Sequence, residues 1–157
     1  MLEVTFEHDT KLDGLDEAIQ NAVIKKMTAL TQELYEKVME NVSGQILQQK
    51  TGELAGSIRQ MLDAVADPME GSVYVEPASP KAWALEKGGE REYMILPSKG
   101  TMLKFYWDKI GQIAFLPSVN HPPSREFAFL RTALEAMRPR FAEGFKEIID
   151  DVMSGRV

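Results

Sequence analysis

Two apolar stripes at helical spacing, one near each end of the chain, constrain most of what these 157 residues can fold into. Leu15, Ile19, Val23, Met27, Leu30, Leu34, Val38 and Val42 step by three or four residues, as do Phe127, Leu130, Leu134, Met137, Phe141, Phe145, Ile148 and Val152. At 3.6 residues per turn such steps fall on one helix face. Each stripe predicts a long amphipathic helix that needs an apolar surface to cover it. Asp13 is the expected N-cap of the first, with Asp16 and Glu17 favourable in its first turn. Gly44 marks its end, although Ile46 and Leu47 could add another turn. A helix this long leaves its far end available to pack on another subunit. Pro139 should kink or locally break the last helix, because it lacks an amide hydrogen and crowds the preceding turn.

The segments between the stripes read mostly as short strands and turns. Residues 2–6 alternate apolar and polar, which suits a half-buried strand broken at His8-Asp9-Thr10. Thr51 is the expected N-cap of a short helix whose apolar edge is Leu54, Ile58 and Leu62. Asp67-Pro68 and Gly71 read as a turn, and residues 72–76 as a strand. Pro80 suits the first turn of a helix through Trp83 and Leu85 that Gly88-Gly89 ends. Residues 93–96 read as a strand stopped by Pro97. Residues 102–107 and 112–116 flank Asp108-Lys109-Ile110-Gly111 as a hairpin, and residues 119–125 read as a loop. The expected fold is a single α+β domain over 1–157: a small, mostly antiparallel sheet packed against two long amphipathic helices, with a projecting β-hairpin.

Composition narrows the function classes. Hydrophobic residues make up 44%, which argues against a disordered chain. No apolar run approaches the roughly 18 residues that span a bilayer. Met1-Leu2-Glu3-Val4 shows no basic segment leading into an apolar one, so no signal peptide is expected. The absence of cysteine excludes disulfides and thiolate metal sites. The net charge is −6, and it is segregated: residues 1–70 carry 13 acidic and 6 basic side chains, whereas residues 71–125 carry 5 and 7. Such a chain is poorly suited to wrapping nucleic acid; its positive middle segment reads first as a solvated loop, with contact to an acidic partner surface as the alternative.

Signs of catalysis are sparse. His8-Asp9 lacks a third ligand at metal-binding spacing. His121 precedes two prolines in a loop, where its side chain is expected to bond to the loop backbone rather than act as a general base. No serine sits in a nucleophile elbow and no phosphate loop is present. Asp150-Asp151 reads as a solvated helix end, and Trp83, Leu85 and the stripe from Phe127 to Leu134 as core. No catalytic residue, cofactor or metal is expected. A metal-dependent hydrolase using His8, Asp9 or His121 is the least favoured alternative.

Three motifs stand in fixed order between the long helices: Thr51-Gly52-Glu53-Leu54-Ala55-Gly56-Ser57-Ile58, Trp83-Ala84-Leu85-Glu86-Lys87-Gly88, and His121-Pro122 followed by Phe129-Leu130-Arg131-Thr132-Ala133-Leu134. Their order, with the hairpin between the second and third, resembles the phage tail-completion family, the head–tail joining proteins related to minor tail protein Z of long-tailed phages. The resemblance covers roughly residues 10–153. Where that family often has His-Pro-Gly and Arg-Pro-Phe, this chain has His121-Pro122-Pro123 and Arg125-Glu126-Phe127.

The resemblance implies a structural virion protein with no enzymatic activity. Such a protein is made in the bacterial host cytoplasm and completes the head-proximal end of the tail. Its partners would be other copies of itself, in a ring for which a hexamer is the favoured size, and neighbouring neck and tail proteins. DNA would pass through without sequence-specific binding, and no membrane is involved. Lys99, Lys104, Lys109, His121 and Arg125 are the expected protein-contact residues. Glu33, Glu36 and Glu40 are expected to face the lumen and repel phosphates. The alternative is a small non-enzymatic binding module of related fold without a virion role.

Overall fold

The computed structural model describes residues 2–8, 16–45, 52–66, 68–77, 80–89 and 91–156. The fold is α+β. Strands β1 (Glu3–His8), β2 (Ile58–Asp63) and β3 (Met69–Val75) form an antiparallel sheet in the order β1-β3-β2. Helices α1 (Glu17–Glu40) and α4 (Phe129–Met153) pack on each other and on one face of this sheet. Two short helices, α2 (Glu53–Ser57) and α3 (Pro80–Lys87), precede β2 and follow β3. Strands β4 (Tyr93–Ile95), β5 (Leu103–Trp107), β6 (Gln112–Leu116) and β7 (Val119–His121) pair as β4-β7 and β5-β6. No helix among the described residues is long and apolar enough to cross a membrane.

The described residues of both stripes form the core or pack against it, and Leu15 lies outside the described residues. Val23, Met27, Leu30, Leu34 and Val38 of α1 are buried against Phe129, Leu130, Ala133, Met137 and Phe141 of α4, with Val4, Phe6, Val73 and Val75 beneath them. The Phe6 and Phe141 rings stack 4.2 Å apart, joining sheet to helix. The far end of α1 is part of this core rather than free for another subunit. Val42 is buried, and Gly44, at φ 142°, ends the helical path in a backbone region that favours glycine. Ile46 and Leu47 lie outside the described residues. The N-cap is Asp16, whose carboxylate accepts from the Ala18 amide at 2.8 Å, and not Asp13, which is outside the described residues. Pro139 lies inside α4, which continues unbroken past it; neighbouring turns and the packed face hold the helix through it.

Three local expectations are corrected. The helix expected from Thr51 through Leu62 stops at Ser57, and Ile58 opens β2. Residue 52, in the left-handed region at φ 71°, stands at the start of α2, while Thr51 is outside the described residues. Gly71 is no turn but the middle of β3. A Cβ there would stand 2.4 Å from Thr31 Oγ1 and 2.8 Å from Phe6 Cε1, so the helix–sheet contact needs a residue without one. The loop expected at 119–125 begins as β7, paired with β4 in the register Tyr93 to His121 and Ile95 to Val119.

Candidate functional site

The second and third motifs form one structural joint. Helix α4 starts from Ala128 in a left-handed conformation, and no side chain of its own caps it. Its cap comes from α3. The buried Glu86 carboxylate accepts from the Leu130 amide at 2.9 Å and the Arg131 amide at 3.0 Å. A carboxylate here satisfies two amides that lack intrahelical partners and meets the positive end of the helix dipole. The Leu85 carbonyl accepts from the Phe127 amide at 2.9 Å. The Asn41 amide, at the end of α1, donates to the Phe129 carbonyl at 2.9 Å. All three helices therefore meet at the first turn of α4.

Gly88 and Gly89 permit a second closure. The Gly89 amide donates to the Ser124 carbonyl at 2.9 Å. A Cβ on Gly89 would lie 2.9 Å from the Ser124 amide nitrogen, and Gly88 has a φ of +76°. This bond fastens the two ends of the intervening segment together. The segment is a nested arm, with β4-β7 nearer the base and β5-β6 beyond. Residues 96–102 join β4 to β5, while residues 117–118 alone join β6 to β7.

The arm carries most of the exposed large apolar side chains among the described residues. Tyr93, Met94, Leu96, Met102, Tyr106, Trp107, Ile110, Ile113 and Phe115 are all exposed. On one face of β5-β6, Lys104 pairs with Phe115 and Tyr106 with Ile113. Tyr106 is 62% exposed and Phe115 57%. The opposite face bears Leu103, Phe105, Ala114 and Leu116, all half-buried. A two-stranded ribbon is marginal alone, and a contiguous exposed apolar patch marks an interaction surface.

The expected contact residues divide between the arm and its base. Lys99, Lys104 and Lys109 are exposed on the arm, with the Lys104 ammonium 5.8 Å from the centre of the Phe115 ring. His121 lies in β7; its Nδ1 is 2.7 Å from the Pro122 carbonyl oxygen, and its ring stacks on Tyr93 at 4.9 Å. The histidine therefore bonds to the loop backbone, as its setting predicts. Arg125 is exposed and lies over the Phe127 ring at 5.8 Å, near the foot of the arm. The His8 side chain and Asp9 lie outside what is described. Trp83 departs from expectation: it is 52% exposed, Leu85 is half-buried, and Ala82 and Glu86 are the buried residues of α3. The need to aim Glu86 at α4 sets which side of α3 faces inward.

The acidic residues of α1 differ in their partners. Glu33 accepts from Arg140 Nε at 3.0 Å, across the α1–α4 interface. Arg140 also reaches Glu143 at 3.4 Å and Glu147 at 3.3 Å, and Glu147 pairs with Lys26. The hydrogen bond to Glu33, followed by the charges around it, raises the Arg140 pKa above its ordinary value. The hydrogen bond from Lys26 lowers that of Glu147, reinforced by the Lys26 and Arg140 charges. Glu36 and Glu40 are exposed; Glu36 accepts from Gln32 at 2.8 Å and Glu40 pairs with Lys37 at 2.7 Å.

No family model matches this chain, and neither a curated protein nor a solved structure does.

Proposed function

We propose that this protein is a non-enzymatic assembly component of the phage neck or tail, completing the head-proximal end of the tail and helping to join head to tail as a ring. The exposed aromatic face of the arm, held on a base fixed by Glu86 and by the Gly89–Ser124 bond, carries this reading. A monomer gains little by displaying Tyr106, Ile113 and Phe115 to water; a subunit that docks on others buries them. The motif order supplies the biological setting. The second and third motifs build the joint and the arm base. With a net charge of −6, and with Glu36 and Glu40 exposed, the chain suits a channel that lets DNA pass without holding it.

The test is mass by light scattering, for the protein alone and mixed with head-completion and tail proteins encoded beside it. A discrete ring or a specific complex supports the reading and gives its stoichiometry. A monomer that ignores every such partner overturns it in favour of a binding module without a virion role.

A further inference from the structure

The outer face of the three-stranded sheet carries a row of carboxylates, of which Asp63 also accepts from the amides of Val65 at 3.1 Å and Ala66 at 3.0 Å. Helices α1 and α4 cover the face of Phe6, Gly71 and Val73. Side chains alternate along a strand, so Glu7, Glu70 and Asp63 fall on the other face. The register places Glu7 directly opposite Glu70, and Glu70 opposite Asp63, giving a row of carboxylates across all three strands. Like charges in this arrangement repel. Among the described residues Glu7 and Glu70 make no ion pair. Arg59, on the same face, turns instead to the carbonyl oxygens of Gly56 at 2.8 Å and Ile58 at 2.9 Å.

Ser72 gives a second, independent sign. It follows Glu70 along the same face, is 1% exposed, and its Oγ has no hydrogen-bond partner among the described residues. A buried hydroxyl without a partner is uncommon and costly. Its cross-strand neighbour Met61 is exposed. The face thus combines negative charge, an unused hydroxyl and an exposed apolar side chain.

The arm has the complementary chemistry. Lys104, 5.8 Å from the centre of the Phe115 ring, and Lys109, exposed in the turn between β5 and β6, bring positive charge to the arm that displays Tyr106 and Phe115. We propose that the arm of one copy lies on the outer sheet face of the next, its lysines against the Glu7–Glu70–Asp63 row and its aromatic face over Met61. This deepens the ring part of the reading above and rests on it. The two patches differ, so the contact is head-to-tail; it closes as a ring where the rotation permits and otherwise runs on as a filament.

The experiment measures mass against concentration for the full chain, by sedimentation or light scattering, in low and high salt. Two variants reverse charge: Lys104→Glu with Lys109→Glu on the arm, and Glu7→Lys with Glu70→Lys on the sheet. Each alone should weaken self-association at least about tenfold, since like charges now face each other. High salt should weaken the wild-type assembly. An equimolar mixture of the two variants should associate again, because each arm then meets a sheet of opposite charge. Unchanged melting temperatures establish that the variants fold, and Glu7→Lys alone, at an exposed position, serves if the double exchange does not.

Wild-type oligomers indifferent to both exchanges, or variants that fail to rescue each other, overturn the arm–sheet contact and leave the ring reading standing. A wild type monomeric at every concentration also overturns the contact, and titration with the neck proteins then decides the wider reading. Rescue in the mixture without any binding to those proteins upholds the contact and overturns the neck assignment.

Discussion

The Asn41 side-chain amide donates to the Phe129 carbonyl at 2.9 Å, a buried bond between residues 88 positions apart. It ties the end of one long helix to the start of the other. Asn41→Ala removes the donor and leaves the carbonyl without it. The expected loss is about 1–3 kcal/mol of stability. A lower urea midpoint with an unchanged slope would verify it; an unchanged midpoint would mean that water replaces the amide.

Glu86 is the second fastening of the same turn. Glu86→Gln keeps the size but gives up the charge and turns one acceptor into a donor that faces an amide. About 1–3 kcal/mol should be lost, and Glu86→Ala should lose at least as much. Hydrogen exchange at Leu130 and Arg131 should accelerate in both variants. Protection equal to wild type there would show that the carboxylate is not the cap.

Gly71→Ala tests the close approach of sheet and helix. The added carbon would stand well inside contact distance of Thr31 and Phe6. Overpacking of this kind costs about 1–3 kcal/mol. Thermal unfolding reads it directly, and a melting temperature equal to wild type would refute the steric account.

Acid should loosen the α1–α4 interface through Glu147. Its folded pKa is lowered, first by the hydrogen bond from Lys26, so the stability it contributes is fully present above the ordinary glutamate value of 4.5 and is lost as pH falls through the folded one. The group is solvent-exposed, so the effect is small. Glu147→Gln should flatten the fall in urea midpoint below about pH 5 relative to wild type. Parallel curves for the two proteins would remove Glu147 from the account.

Both long helices were legible because burial along a helix leaves a 3.6-residue trace in the sequence. The hairpin was legible because Asp108–Gly111 is a turn between apolar runs. Strand β2 was not, for a geometric reason. Ile58 and Leu62 are four apart, and a spacing of four puts two residues on one face of a helix and of a strand alike. Gly71 read as a turn because local sequence cannot show that Phe6 and Thr31 occupy the space of its side chain. Strand β7 was hidden by the prolines after it. At the candidate site, the exposed lysines of the arm were readable from charge. The role of Glu86 was not, since a cap is ordinarily sought next to the helix it serves and this one lies 44 residues from Leu130. The carboxylate row on the sheet appears only once the register brings Glu7, Glu70 and Asp63 side by side.

The Gly89–Ser124 bond also decides how the arm would bear force. Both strands leave the body at one clamp, so a pull on the tip is not split between distant anchors but arrives at a single point. From there the strain passes through α3 and Glu86 into the long axis of α4. Helix α4 is therefore the strut that would take that load into the core, with Phe141 transmitting it to the sheet through Phe6.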